Sequence, residues 1–243
     1  MKSNTKNIFL TLLQELNIVI NKKFLNQKQI IFSYFFNSLN IKIKYDLFLK
    51  MAKKLAQSNF EVVETQATAG VMISKEAQMV ITDIVNNLIS ATTKPDKMQE
   101  IEKIRAVCQQ GEMKKVKPTK VDLLLKNNNE FYLFDIKTAK PNMGGFKEFK
   151  QTLLEWVAVV LALNPQAKIN TLIAIPYNPY EPAPYNRWTM AGMLDLPNEL
   201  KVADEFWNFL CPDSYNDLLD CFEEVGVEMR GEIDNYFKKF DKK

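Results

Sequence analysis

Two short apolar runs near the middle of the chain, Val121-Asp-Leu-Leu-Leu125 and Phe131-Tyr-Leu-Phe-Asp135-Ile-Lys137, are separated by Asn127-Asn-Asn129. Runs of this length and content read as strands, and an asparagine-rich break reads as a tight turn. The pair therefore closes into a hairpin. With the turn centred between Asn128 and Asn129, residue 122 falls opposite residue 135, and the two-residue strand period puts Lys137 on the face of Asp135. Two carboxylates and an ammonium then meet at one end of a buried hairpin. A buried carboxylate needs a partner or a metal. Such a trio can hold a divalent cation and a water, which suits cutting a phosphodiester bond. The same residues also allow a plainer outcome: an internal salt bridge between Asp135 and Lys137, with Asp122 capping a strand end.

The pattern acid, any residue, lysine is weak by itself. It occurs at Glu112–Lys114, Asp135–Lys137, Glu148–Lys150, Glu199–Lys201 and Asp241–Lys243. Only Asp135 follows a run that should be buried, and only there does a second strand bring another acid alongside.

Histidine is absent from all 243 residues, which excludes Ser-His-Asp and Cys-His catalysis and histidine-ligated zinc hydrolases. Metal chemistry is left to carboxylates and carbonyls, a donor set suited to Mg²⁺, with Mn²⁺ as a substitute. In this reading Asp122, Asp135 and the Ile136 carbonyl hold the metal, and Lys137 orients the attacking water. Cys108, Cys211 and Cys221 have no metal-ligand spacing and read as reduced thiols of a cytoplasmic protein. No apolar run is long enough to span a bilayer, and the N-terminus carries no secretory signal pattern.

Helical spacing of apolar residues predicts helices over Asn7 to Ile20, Gln27 to Leu39 and Tyr45 to Ser58. Ser74 is an expected N-cap for a helix through about Ser90, and Asp96 to Gln110 reads as another, stopped by Gly111. After Gly111 the period changes: Met113 to Lys117, Lys120–Lys126 and Phe131–Thr138 read as strands. A long helix over Phe146 to Leu163, closed by Asn164-Pro165, and a buried strand over Ile169 to Ile175 follow. The order implies an α/β (α+β) fold, a mixed sheet flanked by helices. Tyr177 to Trp188 is a proline- and tyrosine-rich loop, and Ala203–Leu210, Ser214–Glu224 and Val227–Phe240 read as helices. The expected organisation is a helical region over 1–95, a core over 96–180, and the aromatic loop with C-terminal helices over 181–243.

A third acid for the site is expected from an upstream helix, Glu76 or Glu102, with Glu76 favoured. Lys147, Lys150 and Gln151 lie on adjacent positions near the start of the long helix, where free N–H groups and the helix dipole suit a phosphate. Residues 1–60 hold ten lysines against Glu15 and Asp46, whereas residues 195–243 hold thirteen acids against six bases. The basic half could face nucleic acid, or it could be solvated surface.

Asp122 and Asp135-Ile-Lys137 within strand, strand, helix, strand resemble the PD-(D/E)xK nuclease superfamily. The longer strings Lys117-Pro-Thr-Lys-Val-Asp122, Phe134-Asp-Ile-Lys-Thr-Ala-Lys-Pro-Asn142, Gly145-Phe-Lys-Glu-Phe-Lys150 and Leu153-Leu-Glu-Trp156 resemble the TdeIII/MjaII-type type II restriction endonucleases. So do Thr171 to Tyr180, Pro184-Tyr-Asn-Arg-Trp188 and Glu205-Phe-Trp-Asn-Phe-Leu210. The resemblance runs from about Asn59 to Phe240. One departure is that Pro118 lies four positions ahead of Asp122, with Val121 directly before it. The resemblance implies a restriction-endonuclease-like core and Mg²⁺-dependent cleavage of double-stranded DNA at a GGNCC-like site, leaving 5′-phosphates. It further implies Asp122 and Asp135 as metal ligands, Lys137 as the catalytic lysine, a homodimer, and a cognate methyltransferase that protects host DNA. Arg187 and the Pro/Tyr-rich loop are its candidates for DNA contact. A structure-selective repair or recombination nuclease, and a non-catalytic protein-interaction module, are the competing readings.

Overall fold

A computed structural model describes residues 41–116, 120–137, 145–186 and 188–228. The helices expected over Asn7 to Ile20 and Gln27 to Leu39 lie outside them, as does most of the one expected over Val227 to Phe240.

The hairpin forms as the turn chemistry requires. Strand β4 (Lys120–Asn127) pairs antiparallel with β5 (Glu130–Ile136), Asn127 facing Glu130 and Leu123 facing Phe134. Asn128 takes a left-handed backbone (φ 51°), which asparagine tolerates better than most residues. One further step of this register brings Asp122 beside Asp135. Helix α4 (Phe146–Leu163) then carries the chain over one face of the sheet to β6 (Lys168–Ile175), parallel to β5. This β5-α4-β6 unit is the crossover that a parallel strand pair demands.

Two further strands complete the sheet. Strand β1 (Val62–Thr68) pairs antiparallel with β4, and β7 (Leu200–Val202) pairs parallel with β6, giving the order β1-β4-β5-β6-β7. The segment over 1–95, read as helical, thus contributes an edge strand. It also supplies β2 (Met72–Ser74), which pairs with β3 (Met113–Lys115) in a separate two-stranded ribbon.

On the α4 side lie α2 (Lys75–Ile89) and α3 (Lys97–Val107). Ser74 and Asp96 are their N-caps, accepting from the Ala77 and Gln99 amides. Gly111, with φ +74°, ends the α3 segment in a conformation that costs other residues about 1 kcal/mol. Against the opposite face pack α1 (Ile41–Ala56) and, beyond a four-residue helix α5 (Leu196–Glu199), α6 (Asp204–Leu210) and α7 (Ser214–Glu228). That layer is aromatic: Phe134 meets Phe206 and Phe209 at ring-centroid distances of 5.5 and 5.6 Å, and Phe48 meets Trp207 at 6.1 Å. Among the described residues no helix is long and apolar enough to cross a membrane, and the three cysteines are buried free thiols.

Candidate active site

The open end of the hairpin gathers the three residues singled out above. Asp122 Oδ2 accepts from the Ile136 amide at 2.8 Å, tying the end of β5 to the start of β4. Lys137 Nζ lies 2.8 Å from Asp135 Oδ1 and 4.5 Å above the Phe149 ring of α4, so the ammonium is held between a carboxylate and an aromatic face. Phe149 itself is tucked under the helix start. A Cβ on Gly145 would stand 2.9 Å from its ring tip, so glycine there lets the ring reach the site.

Electrostatically the trio is unbalanced. Asp135 is buried, and burial pushes its carboxyl up to about 6; Lys137 opposes the rise, and Asp122, within hydrogen-bonding reach, adds to it. Two carboxylates face one ammonium, so the group is one positive charge short. Its donors are hard oxygens. The Ile136 carbonyl leaves the same strand edge as the amide that binds Asp122. This donor set fits a Mg²⁺- or Mn²⁺-sized cation, which the charge imbalance favours.

Several expected members stand elsewhere. Glu76, in the first turn of α2, turns its carboxylate toward Gly111, and its buried Oε2 has no hydrogen-bond partner among the described residues. Glu102 is exposed and pairs with Arg105 at 3.1 Å. Among the described residues no three acids, cysteines or histidines form a metal-binding group, so neither Glu76 nor Glu102 joins Asp122 and Asp135.

Lys150, expected to face DNA, is fully buried. Its Nζ donates to Glu100 Oε2 at 2.5 Å and Glu199 Oε2 at 2.7 Å. Lys97 Nζ completes the network, donating to Glu199 Oε1 at 2.9 Å and to Thr171 Oγ1. A lysine spent on two buried carboxylates cannot reach a phosphate. Lys147 and Gln151 are exposed on the same helix, Gln151 donating to Glu155 at 2.9 Å. Arg187 lies outside the described residues.

The Pro/Tyr-rich loop is partly core, with Tyr177 buried against Phe48. Asn178 and the stretch from Glu181 to Tyr185 line a cavity of about 800 Å³ together with β7 and the start of α6. Glu181, Asp204 and Glu205 on that wall disfavour a phosphate backbone.

Two residues at the site were not foreseen from sequence. Tyr45 of α1 donates its hydroxyl to Asp122 Oδ1 at 2.5 Å, and Gln66 of β1 donates to the same oxygen at 2.9 Å.

A family model described as type II restriction endonuclease, HinfI, matches residues 2–226. The chain belongs to this HinfI family. The match begins at residue 2, so the family's span also takes in the residues ahead of Asn59, where the resemblance in sequence strings starts. Relatives agree at modest identity. The type II restriction enzyme MjaII of Methanocaldococcus jannaschii is 24% identical over 178 residues, covering 66% of this chain and 48% of that protein. HgiCII of Herpetosiphon aurantiacus is 28% identical over 143 residues, covering 57% and 51%. HgiEI of the same organism is 29% identical over 118 residues, covering 47% and 42%. The chain thus spans about half the length of the curated relatives it matches. No solved structure matches it. The five-stranded mixed sheet flanked by helices accords with a restriction-endonuclease-like fold, and these relatives are named type II restriction enzymes.

Proposed function

We propose that this chain is a Mg²⁺-dependent, sequence-specific endonuclease that hydrolyses phosphodiester bonds of double-stranded DNA. The observation that carries the reading is the charge-deficient pair Asp122 and Asp135, with Lys137 at 2.8 Å, in a chain of the HinfI family. Asp122, Asp135 and the Ile136 carbonyl would hold the metal. When bound, Mg²⁺ (or Mn²⁺) supplies Lewis-acid polarisation of the scissile phosphate and a more acidic water. The Lys137 ammonium, fixed by Asp135 and the Phe149 face, orients the attacking water and offsets charge building on the phosphorane. Water adds to phosphorus and the bond to the 3′ oxygen breaks, leaving a 5′-phosphate and a 3′-hydroxyl. Lys147, Gln151 and the N–H groups at the start of α4, where Gly145 supplies no side-chain cap, suit a DNA phosphate.

The resemblance extends the proposal to a GGNCC-like site, a homodimer that reads it by two-fold symmetry, a cytoplasmic setting and a cognate methyltransferase. Incubating purified protein with unmethylated phage DNA, with Mg²⁺ or with EDTA, tests it. Discrete fragments that require Mg²⁺ are expected, and end sequencing gives the site. A smear points instead to a structure-selective or nonspecific nuclease. Lys137→Ala should cut roughly 10²–10³-fold more slowly with its fold intact; a folded variant as fast as wild type would remove Lys137 from the chemistry.

A further inference from the structure

Asp122 is held far more tightly than a strand-end carboxylate requires. Oδ1 accepts from the Tyr45 hydroxyl at 2.5 Å and from Gln66 Nε2 at 2.9 Å, and Oδ2 accepts from the Ile136 amide at 2.8 Å. Gln66 Nε2 also donates to the Tyr45 oxygen at 2.5 Å, which closes a ring of three side chains. The hydrogen placement is fixed by chemistry. An ionised carboxylate only accepts, so both Tyr45 and the Gln66 amide must donate to it.

The backbone of β1 points the same way. Bridged pairs run from Val62 opposite Lys126 to Thr68 opposite Lys120 and skip the position where Gln66 faces Asp122. There Gln66 adopts φ 54°, a left-handed conformation unusual for a non-glycine residue inside a strand. The strand gives up regular pairing where its side chain reaches the acid.

A carboxylate has about four acceptor positions. Three are taken, and the remaining one is on Oδ2, the oxygen tied to β5. We infer that Tyr45 and Gln66 are positioning residues that fix Asp122 so that one Oδ2 lone pair faces Asp135, pre-organising the pair to take a divalent cation. This rests on the metal-site reading above. Partners one step removed from a metal commonly alter its affinity by about 10- to 100-fold.

The test is Mn²⁺ binding by titration calorimetry on the full chain without DNA, for wild type, Tyr45→Phe, Gln66→Met and the double variant, with Asp135→Asn as control. Wild type should bind, and Asp135→Asn should not. Each single variant should weaken Mn²⁺ binding about tenfold or more while its circular dichroism stays that of wild type. The double variant should lose less than the product of the two, because both side chains act on one oxygen and on each other. In cleavage assays the Mg²⁺ concentration for half-maximal rate should rise about tenfold, with a smaller change in the rate at saturating Mg²⁺. Variants that melt earlier yet bind Mn²⁺ as wild type does would make the ring structural only and overturn the inference. Wild type that binds no Mn²⁺ would overturn the metal-site reading itself, and this inference with it.

Discussion

Two clusters of carboxylates and lysines share one face of the sheet, and they are built on opposite terms. The register sets Leu133 beside Thr171 and Asp135 beside Ile173, so Thr171 stands about 7 Å along the strands from the Asp135 position. Around Thr171, Lys97, Lys150, Glu100 and Glu199 form a closed network of two cations and two anions, each 5% exposed or less. Its spare acceptors are used as well, Glu199 Oε2 taking the Asp195 amide at 2.9 Å. Around Asp135 there are two anions, one cation, and a carboxyl that burial pushes up to about 6. Balanced and sealed charge pins α3, α4 and α5 to the sheet. Unbalanced charge at the open strand end is what a cation and a phosphate could complete. Burial of charge alone therefore does not mark a site; a deficit of counter-charge does.

The sharpest way to break this contrast is Asp135→Asn. It should lower cleavage by about 10³-fold or more, as expected when the charge stabilisation at a reacting phosphate is removed. The same variant should be more thermostable than wild type at pH 8 without divalent metal, because it no longer buries an unbalanced charge. A lower melting temperature at pH 8 would make Asp135 a structural partner like Glu199, and the contrast would fall.

Next in size is Lys150→Met. Removing one partner of a buried charge network costs about 3–5 kcal/mol, which is on the order of 10 °C in melting temperature for a chain of this size. Folded protein at low temperature should still cut DNA. Lost cleavage at an unchanged melting temperature would move Lys150 into the chemistry.

A pH titration of stability sharpens the contrast further. The Asp135 carboxyl is raised from its ordinary 3.8 to about 6, so between those values the folded state holds more protons than the unfolded one. Metal-free wild type should therefore lose stability as pH rises from about 4 to 6, by up to about 3 kcal/mol. Asp135→Asn should lack that component in chemical denaturation, and an identical slope in both proteins would refute the assignment. The smallest effect is expected at the exposed end of α4. Lys147→Ala should weaken DNA binding uniformly across sequences and reduce the salt-dependence slope by about one, measured by fluorescence anisotropy; an unchanged slope would take Lys147 off the phosphate path.

The hairpin was legible because a two-residue turn and a two-residue side-chain period leave a single register for Asp122 and Asp135. The ends of α4 were legible because Gly145 and Asn164-Pro165 punctuate them. Lys150 was misjudged, although a signal existed: it falls on the stripe of Phe146, Leu153, Leu154 and Val157, all buried. A lysine on an apolar stripe signals a buried partner. Those partners, Glu100 and Glu199, lie 50 and 49 residues away, beyond any local pattern. Strand β1 was missed because both of its faces stay partly exposed at the sheet edge, which blurs the alternation that reveals strands. With β1 went Gln66, a neutral amide whose role depends on the register with β4. Glu76 was an over-reading, since an acid in a first helical turn is adequately explained by the dipole there.

The separation in sequence of the groups around Asp122 also orders its assembly in time. Asp135 is thirteen residues away across a tight turn, whereas Tyr45 is 77 residues away. Closing the longer loop costs about 1.5 kcal/mol more in chain entropy, and hairpins of this kind form in about 1–10 μs. The two acids can thus meet while most of the chain is still searching. The clamp on Asp122 closes only when α1 and the edge strand dock, so a half-folded chain would hold its acids together before it could hold them still.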